Sequence, residues 1–352
     1  MFNVAIAGAG VIGRKRAAVL KNTKDCRLIV TIDIDREAAK TLAKEFGGDF
    51  DTSWENIVIR NDVDIVIVST INKALAPISI AALKNGKHVL CEKPLGRNIE
   101  EAIDIVKAAR ENGGVLKTGF NHRHHSAIFK AKSMVNDGKI GNVYYIRCIY
   151  GHGGRSGYEK EWRADKDLCG GGGLLDQGVH VVDLFRWFLG EFEDVYGQIN
   201  TYFWNMEVED NAFALFKTKN RQVAIMHTSW TQWKNRFLFE VFGEKGYIII
   251  DGLGGNYGIE KLVIGRRKIE SVDPLSKNIS SNKYPGGAPD EKIIEFVGPD
   301  ISWQEEWKEF VSAIKEKREP LGSGYDGLMA NRMIEAVYKS SKLNKPVKIN
   351  RS

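Results

Sequence analysis

The sequence predicts an α/β protein: an N-terminal Rossmann-type, doubly wound parallel sheet, followed by an α+β domain with a large, open and mainly antiparallel sheet. Two observations predict it. Strand and helix signals alternate over the first 120 residues, which is typical of parallel strands joined by crossover helices. After residue 120, apolar runs follow one another across short turns, as in "RFLFEVFGEKGYIIIDG" (236–252). We therefore expect two domains, residues 1–120 and 121–352, with the C-terminal helices packing back near the first.

The first half contains five strand signals separated by four helix signals. Apolar, β-branched runs predict the strands, and glycines or prolines bound them. The strands are predicted at "NVAIAGAG" (3–10), "RLIVTID" (27–33), "VDIVIVST" (63–70), "KHVLCEKP" (87–94) and "VLKTGF" (115–120). The intervening helices are "GRKRAAVLKNT" (13–23), "DREAAKTLAKEFG" (35–47), "APISIAALKNG" (76–86) and "NIEEAIDIVKAARENGG" (98–114).

The second half begins with a helix at 126–141 and a strand at 142–151, and a further helix is predicted at about 175–189. Long strand signals follow at 194–204, 210–218 and 222–230, before the hairpin whose turn is "GEKG" (243–246). Two helices, at about 302–317 and 325–343, close the chain. Segment 253–300 fits no pattern, and we expect it to cover the active site or to reach a neighbouring subunit.

Composition excludes several classes of protein. The 352 residues include 51 basic and 45 acidic side chains, for a net charge of +6. No long basic stripe with interleaved aromatics indicates nucleic-acid binding. No run of about 18 apolar residues could span a membrane, and the N-terminus shows no signal-peptide features. The four cysteines lack C-x-x-C spacing, so we expect reduced thiols and a cytoplasmic protein.

The glycine pattern G-x-G-x-x-G occurs twice, as "GAGVIG" (8–13) and "GSGYDG" (322–327). Glycine fills 36 of the 352 positions, so an accidental match is unsurprising and the context must decide. A strand precedes the first match and a helix follows it, which is the arrangement that binds a pyrophosphate at a helix N-terminus. A charged, proline-containing segment precedes the second match. We expect Asp326 there to cap the last helix.

The first match therefore predicts a dinucleotide site. Its expected cofactor contacts are the loop residues Gly8, Gly10, Val11, Ile12 and Gly13, with Asp33 and Ile34 after the second strand. A carboxylate at Asp33 would accept hydrogen bonds from a ribose 2′-hydroxyl and repel a 2′-phosphate, which favours NAD over NADP. Arg36 nearby could soften that preference. The alternative for Asp33 is a helix N-cap.

Three residues could carry chemistry beside such a cofactor. Lys93 closes the fourth strand, where ligands bind in open parallel sheets, and a lysine there can stabilise a developing alkoxide. Asp176 and His180 lie four residues apart on a predicted helix, and Asp183 continues their face. A carboxylate that orients a histidine forms a general-base pair. The alternatives are a surface lysine, a helix-terminal carboxylate and a core histidine.

Two polar stretches are candidates for binding substrate. "NHRHH" (121–125) follows the last predicted Rossmann strand, and we expect Asn121, Arg123 and His124 to face the cleft. Trp162 and Arg163 in "EWRAD" suit a sugar face or an anion. Packing at the surface is the alternative for each. A His/Asp metal site that combines Asp176, His180 and this stretch is a rival, but its spacing is not typical of zinc, so we expect no metal.

Together these motifs resemble those of the Gfo/Idh/MocA oxidoreductases. The similarity runs along nearly the whole chain and rests on "GAGVIG", "VDIVIVSTIN", "ALKNGKHVLCEKPLG", "GFNHRHH" and "GGGGLLDQGVHVVDLF". Departures occur at Leu75, where the family commonly has histidine, at Ile71 within its T-P-N pattern, and at Ser126, where proline is common. The EKP and D-x-x-x-H elements are more specific than the glycine loop.

The resemblance implies a nicotinamide cofactor, a sugar, polyol or nucleotide-sugar substrate, and a homo-oligomer, dimer or tetramer, formed through the open sheet. It implies that Lys93 contacts cofactor and reacting hydroxyl, that His180 is the general acid/base, and that Asp176 orients His180 or binds substrate. Glu92 would shape the cofactor loop, and Thr70 and Asn72 would line the nucleotide site. Two other activities stay open: a redox-neutral, NAD-dependent glycosidase and a non-catalytic NAD-binding regulator.

Overall fold

The computed structural model describes residues 1–267 and 289–350, which form two β-sheets covered by helices. The first sheet has the strand order β3-β2-β1-β4-β5-β6, and all its pairs are parallel. Its strands are β1 (Phe2–Ala7), β2 (Cys26–Ile32), β3 (Asp49–Asp51), β4 (Ile65–Val68), β5 (His88–Cys91) and β6 (Leu116–Thr118). The three-residue edge strand β3 was not predicted, since "DFD" carries too few apolar residues to give a signal.

Helices cover both faces of the first sheet. They are α1 (Val11–Lys21), α2 (Arg36–Phe46), α3 (Trp54–Val58), α4 (Asn72–Lys84) and α5 (Ile99–Asn112). Side chains of a strand alternate between the two faces. Accordingly, Ala5 and Ala7 of β1 join one apolar cluster, while Val4 and Ile6 join another. Every residue of β4 is buried, which explains why this strand was the clearest in the sequence.

The second sheet has nine strands among the described residues, in the order β14-β13-β12-β11-β7-β10-β9-β8-β15. Its pairs are antiparallel except for β7 with β10. The strands are β7 (Val143–Gly151), β8 (Phe192–Asn200), β9 (Asn211–Thr218), β10 (Val223–Ser229), β11 (Arg236–Gly243), β12 (Gly246–Asp251), β13 (Glu260–Arg266), β14 (Glu291–Phe296) and β15 (Val347–Lys348).

The remaining α-helices are α6 (Ser126–Asn136), α7 (Lys166–Cys169), α8 (Val179–Leu189), α9 (Ser302–Glu316) and α10 (Gly324–Leu343). The last two agree with the predicted bounds to within one residue. The helix expected at 175–189 differs, because residues 174–178 form one wide π-helical turn before α8 begins. Segment 253–300 contributes β13 and β14 to the sheet, and its residues 268–288 lie outside the described part of the chain.

Helix α9 packs on the first sheet although it follows the second sheet in sequence. Its side chains Trp307 and Phe310 join the apolar cluster that contains Val4 and Ile6. Beside this cluster, the Arg16 guanidinium of α1 bonds Glu306 of α9 (Nη1–Oε2, 2.6 Å), and both side chains are buried. Helix α9 therefore fixes the position of the loop that precedes it, which contributes to the candidate site.

The second glycine pattern, at 322–327, begins helix α10. Ser323 is the N-cap: its Oγ accepts from the Asp326 amide, and the Asp326 carboxylate accepts from the Ser323 amide in return. This reciprocal pair satisfies two of the free amides at the helix start. Asp326 thus helps to cap the helix, as expected, although the N-cap residue is Ser323.

Candidate active site

The glycine loop leaves a gap beside the start of α1. Gly8 has a φ of +103°, and a Cβ there would lie 2.5 Å from the Ser69 carbonyl oxygen. A Cβ on Gly13 would lie 1.9 Å from the Gly8 carbonyl oxygen, so this glycine lets the helix pack on the strand. A Cβ on Gly10 would meet nothing within 4 Å. The open side at Gly10 and the uncapped start of α1 fit a pyrophosphate.

Asp33 follows β2 and stabilises the glycine loop. Its Oδ2 accepts from the Ala9 amide at 2.7 Å, and its Oδ1 accepts from the Asp35 amide at 3.0 Å. The N-cap of α2 is Asp35, whose Oδ1 accepts from the amides of Glu37 and Ala38. Asp35, and not Asp33, is therefore the N-cap of α2. The Asp33 carboxylate lies at the groove.

A groove of about 430 Å³ extends along this loop. Of the predicted cofactor residues, it is lined by Gly8, Gly10, Val11, Ile12, Asp33, Ile34 and Thr70. Trp162 and Arg163 also line it. Ile34 is 92% exposed, and it offers a free apolar surface next to Asp33. The Arg36 guanidinium lies over the Phe50 ring, 5.1 Å from its centroid.

Two predicted cofactor residues are engaged within the protein. The Asn72 amide donates to the Cys169 carbonyl oxygen at 2.7 Å and joins α4 to α7. Glu92 accepts from the Arg16 guanidinium (Oε1–Nε, 2.8 Å; Oε1–Nη2, 2.5 Å) and is 7% exposed. Both still line the inner pocket described next, and these bonds hold the residues that flank Lys93.

An inner pocket of about 230 Å³ lies beside the groove and shares Ile12, Ser69, Thr70, Trp162 and Arg163 with it. The three candidate catalytic residues, Lys93, Asp176 and His180, line this inner pocket together. Their elements are distant in sequence: the end of β5, the π-helical turn and the start of α8. The fold thus brings these three side chains to the space next to the glycine-loop groove.

Lys93 and Asp176 form an ion pair. The Lys93 ammonium donates to the Asp176 carboxylate Oδ1 and to its backbone carbonyl oxygen, each at 2.7 Å. The Arg163 Nε lies 3.8 Å from the other carboxylate oxygen. Burial disfavours the charged carboxylate, but Lys93 and Arg163 outweigh it and lower the pKa of Asp176 to about 2. Asp176 is thus an anion that orients Lys93.

His180 has a different neighbour from the one predicted. The described contacts of the Asp176 carboxylate are with Lys93 and Arg163 rather than with His180. The π-helical turn explains this difference, because it rotates residue 176 away from the four-residue face expected of an α-helix. The His180 ring stacks instead on the His122 ring, with a centroid distance of 3.7 Å and an interplanar angle of 16°.

Burial lowers the pKa of His180 well below its usual value, and the Lys93 cation adds to this effect. The imidazole is therefore neutral at physiological pH and able to accept a proton. Its Nδ1 is buried without a hydrogen-bond partner among the described residues. The ring nitrogen left to face a ligand is Nε2.

The stretch "NHRHH" divides between the pocket and the core. Residues Asn121–His124 form one turn of 3₁₀ helix, and His125 follows it in an extended conformation. Asn121, His122 and His125 line the inner pocket, whereas Arg123 and His124 do not. His124 is buried, and burial lowers its pKa to about 2. The expectation that Arg123 and His124 face the cleft is not met, because a linear sequence gives no direction for this turn.

Arg123 instead forms a buried ion pair with Asp183 of α8. Its Nε and Nη2 contact the two carboxylate oxygens at 2.8 and 2.5 Å, and Nη1 reaches Asp326 at 3.2 Å. The guanidinium also lies over the Trp187 ring, 5.5 Å from its centroid. This bidentate contact connects the turn, α8 and α10, so Arg123 supports the site from behind.

We expect Arg123→Met to lower the free energy of unfolding by about 3–5 kcal/mol, because it leaves the Asp183 carboxylate buried and unpaired. Denaturant unfolding measures the change. The double variant Arg123→Met with Asp183→Leu should regain part of the loss, since it removes the orphaned charge. Suppose instead that the free energy of unfolding of Arg123→Met stayed within about 1 kcal/mol of wild type, while the KM for the sugar or polyol rose. Arg123 would then be assigned to substrate binding.

Trp162 and Arg163 lie at the junction of the groove and the inner pocket, on a short 3₁₀ turn. The Arg163 guanidinium lies over the Trp162 ring, 4.5 Å from its centroid. Arg163 also contacts Glu161 at 3.5 Å. The Arg163 charge is therefore shared between Glu161 and Asp176. The Trp162 and Arg163 side chains can both contact a molecule that extends from the groove into the inner pocket.

The inner pocket includes residues that sequence reasoning missed. They are Lys15, Ser69, His122, His125, Tyr150, Leu253, Gly254, Asn256, Tyr257, Asp300 and Trp303. Five of these, from Leu253 to Asp300, belong to segment 253–300, and Trp303 lies in the first turn of α9. The described flanks of that segment therefore line the pocket. No periodic pattern in "NHRHH" singles out its two pocket histidines, and for segment 253–300 the sequence suggested an expected position but no individual residues.

His125 connects those flanks. Its Nδ1 lies 2.5 Å from the Glu260 carboxylate of β13 and 3.7 Å from the Asp300 carboxylate before α9. Gly254 also donates its amide to Glu260. No cluster of three or more His, Cys, Asp or Glu side chains is placed to hold a metal ion in residues 1–267 and 289–350. In the same ranges no helix is long and apolar enough to span a bilayer.

Two family models match the chain. One is described as "Oxidoreductase family, NAD-binding Rossmann fold" and matches residues 2–120; the other is the GFO/IDH/MocA C-terminal domain and matches residues 128–249. The 1,5-anhydro-D-fructose reductase of Ensifer adhaerens is 31% identical over 69% of this chain and 74% of its own length. The glucose-6-phosphate 3-dehydrogenase of Bacillus subtilis is 28% identical over 99% of both chains.

Among solved structures, a levoglucosan dehydrogenase in complex with NADH and levoglucosan matches with a TM-score of 0.87 over 100% of both chains, at 22% identity. It shows the same fold. The fold and the site define an NAD(P)-dependent oxidoreductase that acts on CH–OH groups. The chain belongs to the GFO/IDH/MocA oxidoreductase family.

Proposed function

We propose that this protein transfers hydride between NAD and a secondary hydroxyl or ketone of a sugar, inositol or nucleotide sugar. The observation that carries the proposal is the meeting of Lys93, Asp176 and His180 in the inner pocket, directly beside the glycine-loop groove. The nicotinamide, when bound, supplies the hydride acceptor. The chain's own residues then have to hold the reacting carbon near it and move one proton.

In the direction of oxidation, His180 accepts the hydroxyl proton at Nε2. Lys93 lowers the energy of the developing alkoxide, and Asp176 fixes the direction of the Lys93 ammonium through its two contacts at 2.7 Å. Trp162 and Arg163 separate the cofactor side from the substrate side. Asn121 adds polar atoms to the substrate side. In the direction of reduction, the protonated His180 returns its proton to the ketone oxygen.

Cofactor choice rests on Asp33. We propose NAD as the physiological cofactor, because the Asp33 carboxylate lines the groove and a carboxylate at the end of the second strand can accept hydrogen bonds from a ribose 2′-hydroxyl. Arg36 is exposed and lies over Phe50 rather than beside Asp33. The same glycine loop would accept the pyrophosphate of NADP, so the preference for NAD over NADP rests on the Asp33 carboxylate.

We expect Asp33→Ser to weaken NAD binding by about 10- to 100-fold, since a charge-assisted hydrogen bond contributes about 1.5–3 kcal/mol. The ratio of NAD to NADP affinity should fall as well. Titration calorimetry measures both affinities. The matched control is Asp35→Ser, two residues on, which keeps a capping oxygen for α2 and lies outside the groove. An unchanged NAD affinity in Asp33→Ser would assign the carboxylate to the loop alone.

Substrate charge is a separate question. The sequence suggested an anionic group on the substrate because of Arg123 and Arg163. Arg123 is committed to Asp183, and Arg163 is shared by Glu161 and Asp176. A neutral sugar or polyol is therefore the first substrate class to test, with phosphorylated sugars and nucleotide sugars in the same panel.

The function is tested by mixing the protein with NAD and each compound of that panel while the absorbance of reduced nicotinamide is followed. Steady production of NADH with a sugar or polyol is the expected result. A redox-neutral glycosidase would cleave a glycoside without net NADH. A non-catalytic regulator would bind NAD and change none of the compounds.

We further propose that residues 1–120 bind the cofactor and residues 121–352 bind substrate and associate with a second copy. The exposed face of the second sheet supports association, because Phe213, Leu215 and Ile225 are each about two-fifths exposed there. Light scattering tests a dimer or tetramer. We also propose a cytoplasmic location, which the four buried, unpaired cysteines support.

A further inference from the structure

The proton acceptor of the proposed reaction lacks the usual support for its ring. A catalytic histidine normally donates its second ring N–H to a carboxylate or carbonyl, which fixes both tautomer and orientation. The sequence assigned that role to Asp176, but the Asp176 carboxylate contacts Lys93 and Arg163. The Nδ1 of His180 is buried and has no partner among the described residues. Something other than a hydrogen bond must hold the ring.

The flat neighbour of His180 is the ring of His122. The two imidazoles lie nearly parallel, 3.7 Å apart between centroids, while the Phe120 ring meets His180 edge-on at 6.0 Å. His180 is 5% exposed and His122 is 6% exposed. The stack therefore restricts rotation of the His180 ring out of its plane, because a rotated ring would collide with His122 or Phe120.

His122 itself is fixed on several sides. Its Nδ1 lies 3.2 Å from the Asn121 side-chain oxygen. Its ring contacts those of Tyr150, His125 and Phe237 at centroid distances of 5.3, 5.5 and 6.1 Å. The 3₁₀ turn that carries it is anchored from behind by the buried Arg123–Asp183 pair. Because the His122 ring is held in this way, it can fix the position of the His180 ring stacked on it.

We propose that His122 is a positioning residue that aligns the His180 imidazole by stacking, so that Nε2 points at the reacting hydroxyl. This inference rests on the proposed function, in which His180 is the proton acceptor. The property that matters is the flat ring of His122 rather than its nitrogen atoms. A planar apolar ring should therefore replace it, whereas a branched side chain should not.

Two variants separate these properties: His122→Phe keeps a flat ring, and His122→Leu has similar bulk but no plane. Both remove the nitrogen atoms and both place an apolar side chain in a buried site, so both should fold. We expect kcat of His122→Phe to stay within a few-fold of wild type. We expect kcat of His122→Leu to fall by about 10- to 100-fold, the effect of a displacement near 1 Å at a reacting group.

The KM for NAD should be unchanged in both variants, because His122 lines the inner pocket and not the groove. Thermal unfolding checks that both variants fold. The matched control for loss of an imidazole is His88→Ala, at the opposite end of β5 from Lys93, where the ring accepts from the Val115 amide. Its kcat should equal that of wild type.

Two outcomes would overturn the inference while the proposed function stands. Equal kcat in His122→Leu and wild type would show that the stack is dispensable. An equally large loss in His122→Phe and His122→Leu would show that the ring nitrogens act, and His122 would then bind substrate or move a proton. The role of His180 in the proposed function is tested in parallel with His180→Ala. If that variant kept wild-type activity, His180 would not be the proton acceptor, and His122 would have no catalytic ring to align.

Discussion

Replacing His180 with alanine should lower kcat by about 10²–10⁴-fold, the usual contribution of a general acid or base. The reason lies in the pocket: His180 is a neutral buried imidazole beside Lys93, whereas the His122 ring is stacked against it and the His125 Nδ1 is engaged by Glu260. The KM for NAD should change little. Initial rates at saturating NAD and sugar measure the loss.

Binding of NADH to the His180→Ala protein, followed by fluorescence, is the control for an intact cofactor groove. The His88→Ala protein again serves as the control for loss of a histidine. A kcat within a few-fold of wild type, with normal NADH binding, would remove His180 from the mechanism. The proton acceptor would then have to be sought among the other residues of the inner pocket, of which Tyr257 and Tyr150 carry hydroxyl groups.

Replacing Lys93 with methionine, which keeps most of the side chain's length, should lower kcat by about 10²–10³-fold, as loss of one donor to a developing oxyanion does. The same change removes the nearest cation from Asp176. The pKa of that carboxyl, about 2 in the wild type, should therefore rise, because burial then acts with less opposition.

A pH dependence of stability follows from that pKa. A folded-state pKa of about 2 lies below the unfolded value of about 3.9, so the interaction stabilises the fold above pH 4 or so. That contribution is lost as the pH falls through the window between the two values. Lys93→Met should be less stable than wild type at neutral pH, and the difference should shrink below about pH 4.

The matched control is Lys87→Met. Lys87 precedes β5, Lys93 follows it, and the Lys87 ammonium donates to the Arg60 carbonyl oxygen at 2.7 Å. Its loss should cost about 1 kcal/mol of stability or less and leave kcat unchanged. If Lys93→Met retained wild-type kcat, or if both lysine variants lost activity to the same extent, Lys93 would have no part in the chemistry.

The sequence predicted the parallel sheet and the strand, turn and helix around the glycine loop, because these depend on local patterns; the catalytic roles of Lys93, Asp176 and His180 stay a prediction. Strand, turn and helix follow one another within a few residues around Gly10, and "EKP" closes a clear strand. The same locality explains the accurate bounds of α9 and α10, where apolar spacing and a capping box mark the ends.

The contacts that the sequence could not give join residues far apart or depend on one turn's geometry. Arg16 bonds Glu306 across 290 positions, and His125 bonds Glu260 across 135. The pairing of Asp176 with Lys93 instead of His180 depends on the π-helical turn at 174–178. Such a turn leaves no periodic signal in five residues. The direction of the side chains in "NHRHH" likewise follows from a 3₁₀ turn.

Direct hydride transfer from a sugar or polyol carbon to NAD can be followed with an isotope. A substrate found in the panel is deuterated at the carbon that bears the reacting hydroxyl, incubated with the protein and NAD, and the nicotinamide product is examined by mass spectrometry. Direct transfer predicts one deuterium atom in each NADH formed. NADH without deuterium, or a substrate consumed with no NADH at all, would contradict it.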